Sequence, residues 1–206
     1  MKSASDLARQ LRLRRGDALL VVDVQRDFLP GGSLPVPEGD AVIEPLNAYI
    51  GAFDARDLPI IFSRDWHPPD HCSFVSAGGT WPTHCVRETP GAAWADGLKV
   101  TPDDYVISKG TEPAAEAYSA FSGTTLVSLL RTLDVHRVFV GGLATDYCVS
   151  ATVCDARAHA FNVIVLTDAI RAVNVKKDDG VHALRQMQAR GAKLFEPHVS
   201  SAAAPP

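Results

Sequence analysis

Residues 18–24 read ALLVVDV, an apolar run with a single carboxylate, Asp23, near its end. A strand with one wet face alternates apolar and polar residues. A continuous run marks a strand covered on both faces, the habit of parallel sheets. Further runs of this kind follow at LPIIFS (58–63), DYVISK (104–109), RVFVGG (137–142), NVIVLTD (162–168) and, more weakly, AKLFE (192–196). Segments of helical length separate most of them. Residues 42–55 place Ile43, Leu46, Ile50 and Phe53 at helical spacing, and 122–133 carry Leu126, Leu129, Leu130 and Leu133. Residues 145–160 and 176–190 complete the set. Strand, helix, strand repetition with short joins predicts a three-layer α/β/α domain around a mostly parallel sheet of about six strands.

The bulk properties agree with one domain over residues 1–206. The chain is 46% hydrophobic, enough for one substantial core. Residues 1–15 form an N-terminal extension, read as helical, with RLRRG (12–16) on its solvent side and a place capping the sheet's lower edge. The final SAAAPP (201–206) is expected to fray. Net charge is −4 with both signs mixed, which argues against a nucleic-acid partner. No apolar run reaches the ~18 residues that span a membrane, and the start lacks a signal-peptide core, so a cytoplasmic location is expected. The four cysteines are expected as reduced thiols. A hydrophobic helix face leaves a homo-oligomer possible.

In such a sheet, ligands gather beyond the C-terminal strand ends. That rule brings four distant constellations together: Asp23 after the first strand, Asp65 after the second, Lys109 at the end of the third, and GGLATDYC (141–148) after the fourth. Thr145 reads as the N-cap of the next helix, with Asp146 at its first position and Cys148 in its first turn. Unpaired amides and the helix dipole there favour a thiolate, and the Cys148 N–H can donate to a developing oxyanion. Asp23, costly at the end of so apolar a strand, reads as the base. Lys109 between carboxylate and thiol would hold both as anions. The chemistry suggested is acyl transfer.

The irregular stretch 64–102 contains all three tryptophans, and loops of that length are usually functional. RDWHPPDHCSF (64–74) and WPTHC (81–85) supply Asp65, His67, His71 and His84, preferred ligands of a divalent transition ion. Spacing leaves two roles open for such an ion: activating water, or orienting a substrate while the cysteine attacks.

The motifs DVQRDFLPGGSLPV (23–36), SRDWHPPDHCSF (63–74), WPTHC (81–85), SKG (108–110), YSAF (118–121) and GLATDYCV (142–149) resemble those of the nicotinamidases, or pyrazinamidases, of the isochorismatase-like cysteine hydrolase superfamily. The resemblance covers roughly residues 18–168. It implies a triad of Asp23 as base, Lys109 as electrostatic partner and Cys148 as nucleophile. It implies a zinc, iron or manganese ion on Asp65, His67 and His84, with His71 as a further ligand or a near neighbour. The ion's implied task is to hold the pyridine nitrogen of nicotinamide. Phe28, Trp81, Tyr118 and Tyr147 would wall the ring. Tyr147 departs modestly from the histidine or other aromatic usual before the nucleophile. A cis peptide at Leu143–Ala144 is implied too, with the amides of Ala144 and Cys148 forming the oxyanion hole. The alternative is a metal-independent amidohydrolase of the same superfamily.

Overall fold

The first strand, β1 (Asp17–Val22), is buried along its whole length, as its unbroken apolar run requires. The computed structural model describes residues 4–197. Its further strands are β2 (Ile60–Asp65), β3 (Tyr105–Lys109), β4 (Arg137–Leu143), β5 (Asn162–Arg171) and β6 (Lys193–Phe195). They form one six-stranded sheet in the order β3-β2-β1-β4-β5-β6, and every pairing is parallel.

The helices are α1 (Ala4–Leu11), α2 (Ile43–Asp54), α3 (Leu126–Thr132), α4 (Ser150–Ala158) and α5 (Asp179–Ala189). Period-two alternation along the strands divides them between two cores. Leu19 and Val21 of β1 join Leu7 and Leu11 of α1 and Leu46, Ile50 and Phe53 of α2 on one face. Leu20 and Val22 join Leu126 and Leu130 of α3, Val153 of α4 and Met187 of α5 on the other. Each such Leu or Val taken fully out of water stabilises by roughly 1.5–3 kcal/mol. At the N-terminal end of the sheet, the Arg137 guanidinium donates to both oxygens of buried Asp17, at 2.7 and 2.5 Å, and ties β4 to β1.

Several details differ from the sequence expectation. Helix α3 begins at Leu126, not Ser122, because residues 122–125 are still turning. Strand β5 continues three residues beyond Asp168, after a register shift against β4 between Val140 and Gly142. Helix α1 packs on α2, while residues 12–14 that follow it bond to Asp17 and Arg137 at the N-terminal ends of β1 and β4. The predicted fraying at 201–206 lies outside the described residues. Among the described residues, no helix is long and apolar enough to cross a membrane, and the cysteines are free thiols.

The strand order reverses at β1, whose neighbours β2 and β4 lead off in opposite directions. The crevice beyond the C-terminal ends of β1 and β4 is therefore where this topology seats a ligand. Close approach there depends on Gly142. Its φ is +121°, and a Cβ would stand 2.6 Å from the backbone nitrogen of Val22.

Candidate active site

At the end of β1 the chain leaves the sheet at Asp23, with φ +49°. The Asp23 carboxylate is fully buried. Its Oδ1 accepts a hydrogen bond from the Ser63 hydroxyl of β2 at 2.7 Å, and its Oδ2 lies 2.8 Å from Lys109 Nζ. Lys109 closes β3 and reaches inward. Its ammonium also contacts Asp65 Oδ1, donates to the Ala117 carbonyl at 3.1 Å and lies 3.5 Å from Cys148 Sγ. Asp23, Lys109 and Cys148, distant in sequence, thus meet at one buried point.

The turn carrying Cys148 differs from the expected cap. Thr145 is the first residue of a five-residue π-turn, Thr145–Val149, that runs into α4. Ala144 stands in the capping position with extended geometry, and its carbonyl accepts the Val149 N–H at 3.1 Å. Cys148 is thereby the fourth residue of the turn. Asp146 is the second, and its carboxylate accepts the N–H groups of Val173 and Asn174 at 2.9 and 2.8 Å, fastening the loop after β5. The Leu143–Ala144 peptide is cis.

Burial sets the resting charges. It pushes the Cys148 thiol well above its ordinary pKa, and the pull of the Lys109 ammonium does not overcome it. Burial and the carboxylates of Asp23 and Asp65 thus work against the standing thiolate expected from the sequence, and Lys109 alone works for it. Burial likewise raises Asp23, more than Lys109 lowers it. For Lys109 burial opposes the charge, but the carboxylates of Asp23 and Asp65 outweigh it and hold the ammonium well above its usual range. Asp65 is the converse case: Lys109 and His67 outweigh its burial and keep it ionised.

Asp65 also faces two imidazoles. His67 Nε2 and His84 Nε2 lie 3.5 and 4.0 Å from Asp65 Oδ2, and the three ligand atoms are mutually within 4.8 Å. The outer nitrogens are already committed. His67 Nδ1 donates to the Gly110 carbonyl at 2.9 Å, and His84 Nδ1 donates to the Pro82 carbonyl at 2.7 Å. A carbonyl only accepts, so each Nδ1 carries the proton and each Nε2 offers a lone pair. A buried carboxylate and two so-oriented imidazoles fit a divalent transition ion. The field of Asp65 raises His67 despite the burial that opposes it, and the same field favours a cation. Asp23, Asp65 and Cys148 also cluster, but the Lys109 ammonium already lies against all three.

Gly110 explains the glycine of the SKG motif. Its φ is +61°, and a Cβ there would stand 2.6 Å from His67 Nδ1. His71 has the place of a neighbour. Its Nδ1 pairs with Ser73 Oγ at 2.8 Å, its Nε2 with the Ala115 carbonyl at 3.1 Å, and its ring stacks on His67 at 4.1 Å.

Both groups open on one cleft. Asp65, His67, His84 and Cys148 line it, while Asp23 and Lys109 stand behind its wall. The four aromatic residues singled out in the sequence line it as well. Trp81 Nε1 donates to the Tyr118 hydroxyl at 2.8 Å, and the Tyr147 ring lies 5.1 Å from Trp81 and 5.8 Å from Tyr118. Phe28 packs 5.7 Å from the His84 ring. Leu34, Val36 and Val173 add apolar wall and Glu116 a charge, none of which the sequence reading singled out. It also missed Ser63, whose signal was a hydroxyl at the end of the apolar run of β2.

A family description of the isochorismatase domain matches residues 17–196. The nicotinamidase of Escherichia coli is 39% identical over 199 residues, covering 86% of this chain and 93% of its own length. Among solved structures, the pyrazinamidase of Pyrococcus horikoshii in complex with zinc superposes with a TM-score of 0.84 at 49% identity, covering 88% of this chain and 99% of its own. An L. infantum protein solved in complex with nicotinate gives 0.81 at 37% identity, covering 88% and 93%. With nearly the whole chain matched, the protein belongs to the isochorismatase family, among the homologues of its nicotinamidases and pyrazinamidases.

Proposed function

We propose that the chain is a nicotinamidase: it hydrolyses nicotinamide to nicotinate and ammonia through a thioester on Cys148, and accepts pyrazinamide as a related substrate. The observation that carries this reading is the meeting of Asp23, Lys109 and Cys148 beside the Asp65, His67 and His84 cluster in one aromatic-walled cleft. The comparisons support it through relatives named for this activity. The reading treats the chain as one hydrolase domain, with residues 64–102 as its metal-binding loop region.

In this mechanism the ring lies between Phe28, Trp81, Tyr118 and Tyr147, whose flat faces suit an aromatic heterocycle. A zinc, iron or manganese ion on Asp65, His67 and His84 would supply a Lewis acid for the ring nitrogen. Asp23 takes the Cys148 proton as sulfur attacks the carboxamide carbon. Because burial favours the neutral thiol, deprotonation is expected to accompany attack. The backbone N–H groups of Ala144 and Cys148 receive the oxyanion. Asp23 then passes the proton to the amide nitrogen, the C–N bond breaks and ammonia leaves. Water attacks the thioester, Asp23 accepts its proton, and the C–S bond breaks to give nicotinate. The proton returns to sulfur. Lys109 holds the Asp23 carboxylate in place and offsets the negative charge of the departing thiolate.

The test is ammonia release from nicotinamide by purified protein of measured metal content, before and after chelator. Release that tracks metal content supports the reading. Equal release from metal-free protein would favour the metal-independent alternative, and no release from fully metallated protein would remove nicotinamide as substrate.

A further inference from the structure

The segment after β1 holds two polar side chains that the catalytic scheme does not use. Gln25 is fully buried. Its Oε1 accepts the backbone N–H of Asp65 at 2.8 Å, and its Nε2 donates to the backbone carbonyl of Asp65 at 2.8 Å and to that of Ala92 at 2.9 Å. The last backbone bond from β1 toward β2 here is Asp23 N–H to the Ser63 carbonyl, 3.0 Å, after which the chain turns away. The Gln25 carboxamide, shaped like a peptide group, then supplies the next rung. It satisfies both backbone polar groups of Asp65 where no strand remains to do so.

Two residues on, Asp27 does a related task for the second ligand-bearing segment. Its Oδ2 accepts the N–H of Cys85, the residue after His84, at 2.7 Å, and its Oδ1 accepts the N–H of Ser33 at 3.3 Å. Gly91 makes room for this carboxylate, since any Cβ there would collide with it. One short segment therefore grips the backbones of Asp65 and of Cys85, the neighbour of His84, which come from separate parts of the chain.

We propose that Gln25 and Asp27 are positioning residues for the metal centre, holding the backbones of Asp65 and of the His84 segment at the separation that binding an ion requires. This rests on the reading that Asp65, His67 and His84 hold the ion. Groups that orient metal ligands through hydrogen bonds typically change affinity by about 10–100-fold when removed. Gln25→Leu keeps the bulk and removes the three hydrogen bonds. Asp27→Ala removes the Cys85 anchor, whereas Asp27→Asn keeps an acceptor oxygen for it.

The experiment measures the Zn²⁺ affinity of metal-stripped full-length protein by competition with a chromophoric chelator, alongside the Tm of each metal-free form. Gln25→Leu and Asp27→Ala are expected to bind Zn²⁺ at least tenfold more weakly, and Asp27→Asn to recover most of the loss. A role confined to folding would lower the metal-free Tm but leave the affinity of the folded protein unchanged, and that result overturns the proposal. If Gln25→Leu does not fold, the Asp27 pair decides: equal affinity in Asp27→Ala and the parent overturns it. A parent protein without measurable Zn²⁺ affinity would instead sink the metal reading on which the proposal stands.

Discussion

Replacing Lys109 by methionine keeps the length of the side chain and removes its charge. In the parent the ammonium lies 2.8 Å from Asp23 Oδ2, 3.5 Å from Cys148 Sγ, and in contact with Asp65. Opposite unit charges about 3.5 Å apart interact by roughly 5 kcal/mol at an effective dielectric of ~20, equivalent to about three decades in thiolate population. That is a ceiling. Without Lys109, Asp23 takes up a proton more readily, which relieves the thiol of one negative neighbour. The sign is fixed all the same: Lys109 lowers the thiol pKa against burial, so its loss raises a value already above the ordinary range. At fixed pH 8, iodoacetamide modification of Cys148 is expected to slow by about 10- to 1000-fold. Peptide mapping reads the rate, with half-buried Cys72 and Cys154 as internal controls. Leaving two buried carboxylates without their partner also costs about 3–5 kcal/mol of stability, so folding is checked by circular dichroism. A folded Lys109→Met protein whose Cys148 reacts at the parental rate would refute the electrostatic role of the lysine.

Gly110→Ala places a methyl group against the His67 ring at a backbone angle that alanine adopts only with strain. Metal content after dialysis should fall well below the parent's, and parental occupancy would show that the ring has room to move. Tyr49→Phe removes a hydrogen bond from the Tyr49 hydroxyl to Asp168 Oδ1, 2.7 Å long, that ties α2 to β5 away from the cleft. Urea unfolding should show a loss of about 1–2 kcal/mol, with kcat/KM for nicotinamide unchanged. A large fall in kcat/KM would mean that this contact reaches the site.

The sheet was legible because parallel strands covered on both faces write themselves as unbroken apolar runs. β1 and β4 are the clearest examples. The meeting of Asp23, Asp65, Lys109 and Cys148 was legible because each stands at or just past a strand's C-terminal end, and the parallel pairing delivers those ends to one edge. Three features were hidden for physical reasons. The charge state of Cys148 depends on depth of burial, which local helix logic does not report. The start of its turn shifted by one residue because the backbone there bonds across five residues, a pattern that no residue type announces. Gln25 and Asp27 were quoted within their motif but given no task, because their partners are backbone groups far away in sequence. The one local hint was a neutral amide just beyond the most apolar strand of the protein.

The central claim is that Cys148 becomes acylated during turnover. Acid quenching of metallated protein within its first turnovers of nicotinamide, followed by peptide mass spectrometry, tests it most directly. The account predicts a nicotinoyl group on the peptide that carries Cys148, and neither adduct nor ammonia from Cys148→Ala. Ammonia release that survives in Cys148→Ala, or an acyl group found on a different residue, would contradict it.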